Sequence, residues 1–267
     1  LSLWLRGDYV VGDATLNRFF AFHVIAIPLV LIGLVAAHII ALHEVGSNNP
    51  DGVEIKENLD ANGHPVDGIP FHPYYTVHDV FGLGVFLMIF ACIVFFAPEM
   101  GGYFLEANNF IPANPLQTPP HIAPVLYFTP FYAILRTFDN TVWVVQLVQF
   151  LTFGIVDSKL FGVIAMAGAI LAMALAPWLD TSSVRSGRYR PMFKAWFAVL
   201  VIDFVVLMWC GSQVPSAFTG WVGLIASTYW FAYFLVILPL LGVLEKPLLQ
   251  PVSIEADFKS HYADPAE

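Results

Sequence analysis

Two histidines stand fifteen residues apart within one apolar run of this chain. His23 and His38 lie in residues 19–42, a run long enough to form a single helix. At a rise of ~1.5 Å and a turn of ~100° per residue, their imidazoles would be ~22 Å apart along the axis and ~60° apart around it. An imidazole in hydrocarbon is costly unless it is bound or paired. Two imidazoles at different depths suit two stacked prosthetic groups, although either one alone would equally suit a hydrogen bond between helices.

The rest of the chain is too apolar for an ordinary water-soluble domain of this size. Of its 267 residues 58% are apolar and 12% are charged, and the mean hydropathy is +0.72. Hydropathy predicts several stretches that could cross a bilayer core, which needs ~20 helical residues. They are residues 18–43, 77–97, 159–178, 192–210 and 222–244. We therefore expect an all-α integral membrane protein with about five transmembrane helices.

Basic residues predict the orientation of these helices. The connection between the third and fourth predicted spans, together with the first residues of the fourth, holds four of the eleven Lys and Arg residues, and such loops face the cytoplasm. They are Arg185, Arg188, Arg190 and Lys194. The loop 45–76 and the tail 248–267 then lie on the same side, and the connection 98–158 faces the periplasm. That connection is long enough to be functional, and its apolar parts predict short interfacial helices at 127–138 and 142–156 that cover a pocket.

Charge and cysteine usage exclude several other classes of protein. The net charge of −9 is spread over loops and tail, so no nucleic-acid partner is expected. Cys92 and Cys210 both fall in predicted spans, and neither belongs to a CxxC or CxxCH pattern. A covalently attached haem and a cysteine-ligated metal are therefore not expected.

A second polar group lies at the cytoplasmic ends of the first two predicted spans. Its members are His43, Glu44, Ser47, His78 and Asp79. An imidazole, a hydroxyl and a carboxylate could bind the carbonyls of a quinone and exchange its protons. Residue types alone favour the simpler interpretation, in which these side chains cap helix ends.

Several motifs give the chain a specific resemblance that runs in order over nearly its whole length. Besides His23, His38 and His43, these are Thr15–Phe20, Gly46–Pro50, Phe71–Tyr75 and Tyr132–Arg136. They resemble the later part of cytochrome b of the quinol:cytochrome c oxidoreductase (cytochrome bc) complex, of the proteobacterial type.

The resemblance implies a role for each candidate histidine. In that family one transmembrane helix gives one axial histidine to each of two haems b, and a facing helix gives the other two. His23 would ligate the low-potential haem near the outer surface, and His38 the high-potential haem near the cytoplasm. Likewise, His43, Ser47 and Asp79 would line the inner quinone-reduction site.

The outer quinol-oxidation site departs from the family pattern. A Pro-Glu-Trp-Tyr motif closes that site in the family, and here it reads Pro-Val-Leu-Tyr at 124–127. Val125 replaces the carboxylate that would accept a quinol proton, so another group must do so. Pro124, Tyr127 and Tyr132 remain candidates for shaping the pocket, with core packing as the alternative for both tyrosines.

A second departure concerns the partner ligands. Two haems with two histidines each need four intramembrane imidazoles, and the other histidines fall in predicted loops or the tail. They are His64, His72, His121 and His261. We therefore expect the first three family helices upstream of Leu1 or on a separate polypeptide, so that this chain alone is inactive.

The expected domain organisation follows from the resemblance. Residues 1–44 would be the haem-ligating helix, 45–76 a cytoplasmic loop, 77–247 the C-terminal domain and 248–267 a tail. The implied protein is a multi-pass subunit of a proton-motive quinol-oxidising complex in the bacterial inner membrane, with ubiquinol as substrate. Implied partners are the upstream half of cytochrome b, a Rieske iron–sulfur protein, cytochrome c1, lipid and a second copy of the complex.

Two other classes of function compete with this one. A haem-free transporter could use His23, His38 and Asp79 as a proton relay, but no inverted internal repeat is visible in the sequence. A scaffold subunit could hold redox partners without haem, but it would not need the pair His23 and His38.

Overall fold

The computed structural model describes residues 2–102, 104–105, 107–112, 114, 116–117 and 122–262. The chain divides into two compact units, residues 1–49 with 80–120, and residues 50–79 with 121–267. Helices make up the regular structure of the described residues, where one isolated bridge, Leu59 to Pro65, is the β-type pairing. The expected all-α class is thus confirmed. His121 lies outside the described residues.

Helices α1 to α3 begin the chain. They are α1 (Ser2–Arg6), α2 (Asp13–Val45) and α3 (Tyr74–Phe96). Arg18 of α2 holds α1 in place because its guanidinium donates to the backbone carbonyl of Trp4, while Thr15 Oγ1 donates to the carbonyl of Arg6 at 2.6 Å. Both long helices are apolar almost throughout, and within the described chain no residue of 22–45 or of α3 is buried.

The remaining helices form most of the second unit. They are α4 (Thr129–Thr137), α5 (Trp143–Leu151), α6 (Ser158–Ala174), α7 (Ala176–Leu179), α8 (Pro191–Ser212), α9 (Ala217–Leu244) and α10 (Ile254–Tyr262). Apolar side chains of α4, α6, α8 and α9 build its core. Trp230 lies within that core, where its indole N–H donates to the carbonyl of Ala169 at 3.2 Å.

Four described helices are long and apolar enough to cross a membrane: α2, α3, α8 and α9. The third predicted span appears as the shorter helix α6, which has 17 residues. Leu175 caps its C-terminal end, and the one-turn helix α7, with Pro177 near its start, follows directly. Proline cannot donate to the preceding turn, so the break lies where the sequence requires it.

Helix α4 lies within the predicted interfacial helix 127–138 and is enclosed by protein. Ile134 is fully buried, and most of the helix is buried with it. Glycines on three neighbouring helices admit it, since a Cβ on any of them would collide with α4: Gly162 with the Leu135 carbonyl, Gly211 with the Thr129 carbonyl and Gly223 with Thr137 Oγ1. Arg136 completes the contact by donating to the carbonyls of Cys210 and Gln213 at the end of α8.

Segments expected on the cytoplasmic side contact one another in the second unit. Asp51 accepts from Arg188 Nη1 at 2.6 Å and from the Tyr189 hydroxyl at 3.0 Å. Asp67 accepts from Ser253 Oγ at 2.9 Å and from the Glu255 backbone N–H at 3.1 Å. The first loop, the basic loop and the tail therefore share one side, as the orientation prediction requires.

Candidate functional site

The two haem-ligand candidates both lie on α2. His23 is part of a π-turn, Phe22–Ala26, in which the Ile27 N–H donates to the Phe22 carbonyl five residues back. His38 lies in the regular α-helical part, Ile27–Val45. Both imidazoles are exposed on the helix surface. The structure therefore places them on one continuous helix, with a local departure from α-geometry at the first.

Small residues on the same helix lie near both imidazoles. Gly33 lies between the two histidines. Ala36 and Ala37 keep the helix slim nearby. Neutral imidazole is an axial ligand of haem iron, and His23 and His38 each present one such donor.

The candidates for an inner quinone site occupy two parts of the chain. His43 lies in the last turn of α2, and Ser47 follows it in the loop after Gly46, whose φ of 85° ends the helix. Asp79 lies in the second turn of α3. All three side chains are exposed.

The candidates for the outer site surround the start of α4. Pro124 is half-buried, Tyr127 is exposed in the short turn Leu126–Phe128, and Tyr132 is half-buried within α4. The guanidinium of Arg136 lies over the Tyr132 ring at 5.0 Å, a cation–π contact that fixes the ring. Val125 precedes the turn as an exposed aliphatic side chain.

Two adjoining cavities lie between α4, α5 and the start of α9, with volumes of about 110 and 680 Å³. Both are lined by Thr137, Asp139, Pro215, Ser216 and Gly220. The three outer-site candidates are not among the residues that line these two cavities. Pro124, Tyr127 and Tyr132 therefore stay a prediction for the outer site, and the two cavities lie on the other side of α4's C-terminal half, next to Asp139.

A buried ion network was missed by the sequence reasoning. The Arg190 guanidinium donates to both Asp180 oxygens, at 2.7 and 2.9 Å, and to Glu245 Oε2 at 3.3 Å. Glu245 Oε1 also accepts from the backbone N–H groups of Met192 and Phe193, so it caps α8. Burial opposes the charged guanidinium, but the hydrogen bonds and charges of Asp180 and Glu245 raise the pKa of Arg190 above its ordinary value. The sequence signal for this network was that each of its three charged residues lies within two positions of the end of a predicted span.

A second missed feature lies inside the second unit. Asp203 on α8 and Ser227 on α9 are buried, and among the described side chains Asp203 Oδ2 and Ser227 Oγ have no hydrogen-bond partner. An isolated carboxylate in a predicted span is itself a signal, because ionisable groups are rare within transmembrane segments.

Comparisons with known proteins bear on these placements. Two family profiles match the chain: cytochrome b(N-terminal)/b6/petB over residues 1–114 and cytochrome b(C-terminal)/b6/petD over residues 112–231. A solved structure described as hyperthermophilic respiratory Complex III superimposes with a TM-score of 0.74 and 34% identity, over 91% of this chain and 55% of that one.

Curated relatives agree with both profiles. The cytochrome b of Cereibacter sphaeroides is 55% identical over 98% of this chain, and that of Rhodobacter capsulatus is 56% identical over the whole chain. The cytochrome b of Allochromatium vinosum is 52% identical over 92% of it. The chain spans 57% to 60% of the length of these relatives. Its sequence, its helices and both profiles lead to one conclusion: the chain belongs to the cytochrome b/b6 family.

Proposed function

We propose that the chain is the later part of the cytochrome b subunit of a quinol:cytochrome c oxidoreductase. The observation that carries the proposal is the pair of exposed imidazoles at two depths on one membrane-spanning helix, α2. Family membership supports it, because the relatives that match over nearly the whole chain are cytochromes b.

His23 and His38 each hold one haem b by an axial imidazole in this proposal. By the expected orientation, His23 lies near the outer surface at the low-potential haem, and His38 near the cytoplasm at the high-potential haem. When bound, the two haems supply one-electron transfer across the membrane. The chain contributes ligands at set depths and an apolar surface that excludes water from both.

Quinone chemistry takes place at two sites on opposite sides of the membrane. At the inner site, His43 and Asp79 exchange protons with the quinone, and the Ser47 hydroxyl hydrogen-bonds a carbonyl. At the outer site, Pro124, Tyr127 and Tyr132 shape the pocket for quinol. Val125 has no titratable group, so the quinol proton passes to another acceptor.

The subunit acts within a larger assembly in this proposal. The partners are the upstream half of cytochrome b, a Rieske iron–sulfur protein that takes one electron, and cytochrome c1. The match to a respiratory Complex III structure supports a multi-subunit complex. The location is the bacterial inner membrane, the substrate ubiquinol and the complex a homodimer, with no nucleic-acid partner.

The ligand assignment is tested by optical spectroscopy of membranes that contain the complete complex. We expect His23→Leu and His38→Leu each to lower the b-type haem content seen in the dithionite-reduced minus oxidised spectrum, because leucine cannot coordinate iron. His64→Leu, in the turn that follows Asp60, is the matched control and should leave the content unchanged. Full haem content in both test variants would refute the proposal.

The same membranes separate haem binding from quinone reduction. Asp79→Asn should keep both haems, because the amide retains the shape of the side chain. It should slow reoxidation of the high-potential haem by quinone, because the amide cannot exchange a proton near neutral pH. Unchanged reoxidation kinetics would remove Asp79 from the inner site.

A further inference from the structure

The π-turn of α2 coincides with the first haem-ligand candidate. Phe22–Ala26 is the π segment, and His23 is its second residue. From Ile27 onwards the helix is regular through His38 to Val45. Single π-turns inside α-helices hold one extra residue and occur often at functional sites. The extra residue here lies between the two imidazoles.

Proline accounts for the position of this turn. Pro28 follows the π segment by two residues, lacks an N–H for the Val24 carbonyl and would crowd that carbonyl in a regular helix. Helix α9 repeats the arrangement: the π segment Tyr233–Ile237 is followed at the same distance by Pro239. Local sequence therefore suffices to form the turn in both helices.

The turn changes which residue is in register with His38. In a left-handed bundle, positions two heptads apart fall on the same seam, because fourteen residues at ~3.5 per turn complete about four turns. On an uninterrupted helix that position would be Val24, and His23 would lie ~100° away from it. One extra residue taken up by the π-turn brings His23 to the place of Val24.

We propose that the π-turn at Phe22–Ala26 is a positioning device that sets the His23 imidazole on the same helix face as His38. Both imidazoles then point towards one facing helix, as two stacked haems require. The inference rests on the proposed function. It adds that the π-turn takes up the fifteenth residue, so that the two imidazoles keep the register of a fourteen-residue spacing.

The test changes the length of the helix between the histidines within the complete complex. Deletion of Ile25 combined with Pro28→Ala removes the extra residue and the cause of the turn, and leaves a regular helix with a fourteen-residue spacing. Insertion of one alanine between Leu34 and Val35 adds a residue where no π-turn absorbs it. A helix without a register device would suffer equally from both changes, since each would rotate His23 by ~100°.

We expect an asymmetric result. The deletion variant should keep both haems, with the EPR g-values and midpoint potentials of the unchanged protein. The insertion variant should lose at least one haem while the complex still assembles. If the deletion variant assembles and loses haem as the insertion variant does, the inference is wrong. Should that deletion variant fail to assemble, deletion of Ala26 combined with Pro28→Ala removes the same number of residues, and loss of haem in that assembled variant has the same meaning.

The two proposals fail in different ways. Retention of both haems in His23→Leu would refute the ligand role itself. Loss of haem in His23→Leu, together with equal loss in the deletion and insertion variants, would refute only the register role of the π-turn.

Discussion

At the scale of single residues, charged side chains at the helix ends form specific pairs that hydropathy does not predict. Arg190 and Glu245 have side chains only 1% and 2% exposed. Together with Asp180 they join the end of α7, the start of α8 and the end of α9. A buried pair of this kind is a weak argument for net stability, but removing one partner leaves the other charge buried and uncompensated.

Glu245→Ala should therefore lower the free energy of unfolding by ~3–5 kcal/mol, measured by thermal or denaturant unfolding in detergent. Two causes add: Arg190 loses a charged acceptor, and the Met192 and Phe193 N–H groups lose theirs. Glu255→Ala is the control, since Glu255 pairs with Lys259 in solvent at 2.6 Å. That exposed pair should contribute less than ~1 kcal/mol, and equal losses in both variants would contradict the assigned role of Glu245.

The candidate histidines were predictable at this scale, because residue type and spacing suffice to select them. The buried Asp203 carried a sequence signal as well, a single carboxylate in an apolar span. The contact between Arg136 and Tyr132 did not, because a cation–π pair depends on the side-chain rotamers of two residues that are four positions apart on a helix.

At the scale of elements, α4 shows how close approach decides the position of a helix. Its residues read as amphipathic, which suits an interface with lipid and a core equally well. The deciding contacts come from glycines on other helices, because the absence of a Cβ lets the α4 backbone reach them.

Helix α6 supplies a matched pair for testing that contact. Gly162→Ala should destabilise the protein by ~1–3 kcal/mol, because its new Cβ would overlap the Leu135 carbonyl and backbone cannot move aside cheaply. Gly168→Ala, on the same helix, would meet only Phe231 Cε1 at 3.8 Å and should be neutral or stabilising by up to ~1 kcal/mol. Unfolding midpoints in detergent measure both, and effects of the same sign and size would show that α4 does not depend on Gly162.

At the scale of the whole molecule, the number of membrane crossings depends on α6. Four described helices are long enough to cross a membrane. Helix α6 alone is too short, but α7 continues it. Contacts among the first loop, the basic loop and the tail agree with a common side for all three. Because α3 leads away from that common side, α6 together with α7 must cross back to bring the basic loop to it.

Single cysteines on either side of α6 test its crossing. Ile155→Cys before α6 and Ser183→Cys after α7 are both at exposed positions. We expect a membrane-impermeant maleimide to label Ile155→Cys from the periplasmic face and Ser183→Cys from the cytoplasmic face, with Cys92→Ser as background. Labelling of both from one face would mean that α6 does not cross.

Local properties of the sequence determined the fold class, the long spans, the two intramembrane histidines and the family. Each depends on residues close together in the chain: hydropathy over about 20 positions, helical periodicity and short motifs. The π-turn is also local in cause, since Pro28 lies within its next turn. Tertiary structure decided the burial of α4, the Arg190 network and the lining of the cavities. Those depend on which distant segments meet, and hydropathy assigns a helix the same value whether lipid or protein surrounds it.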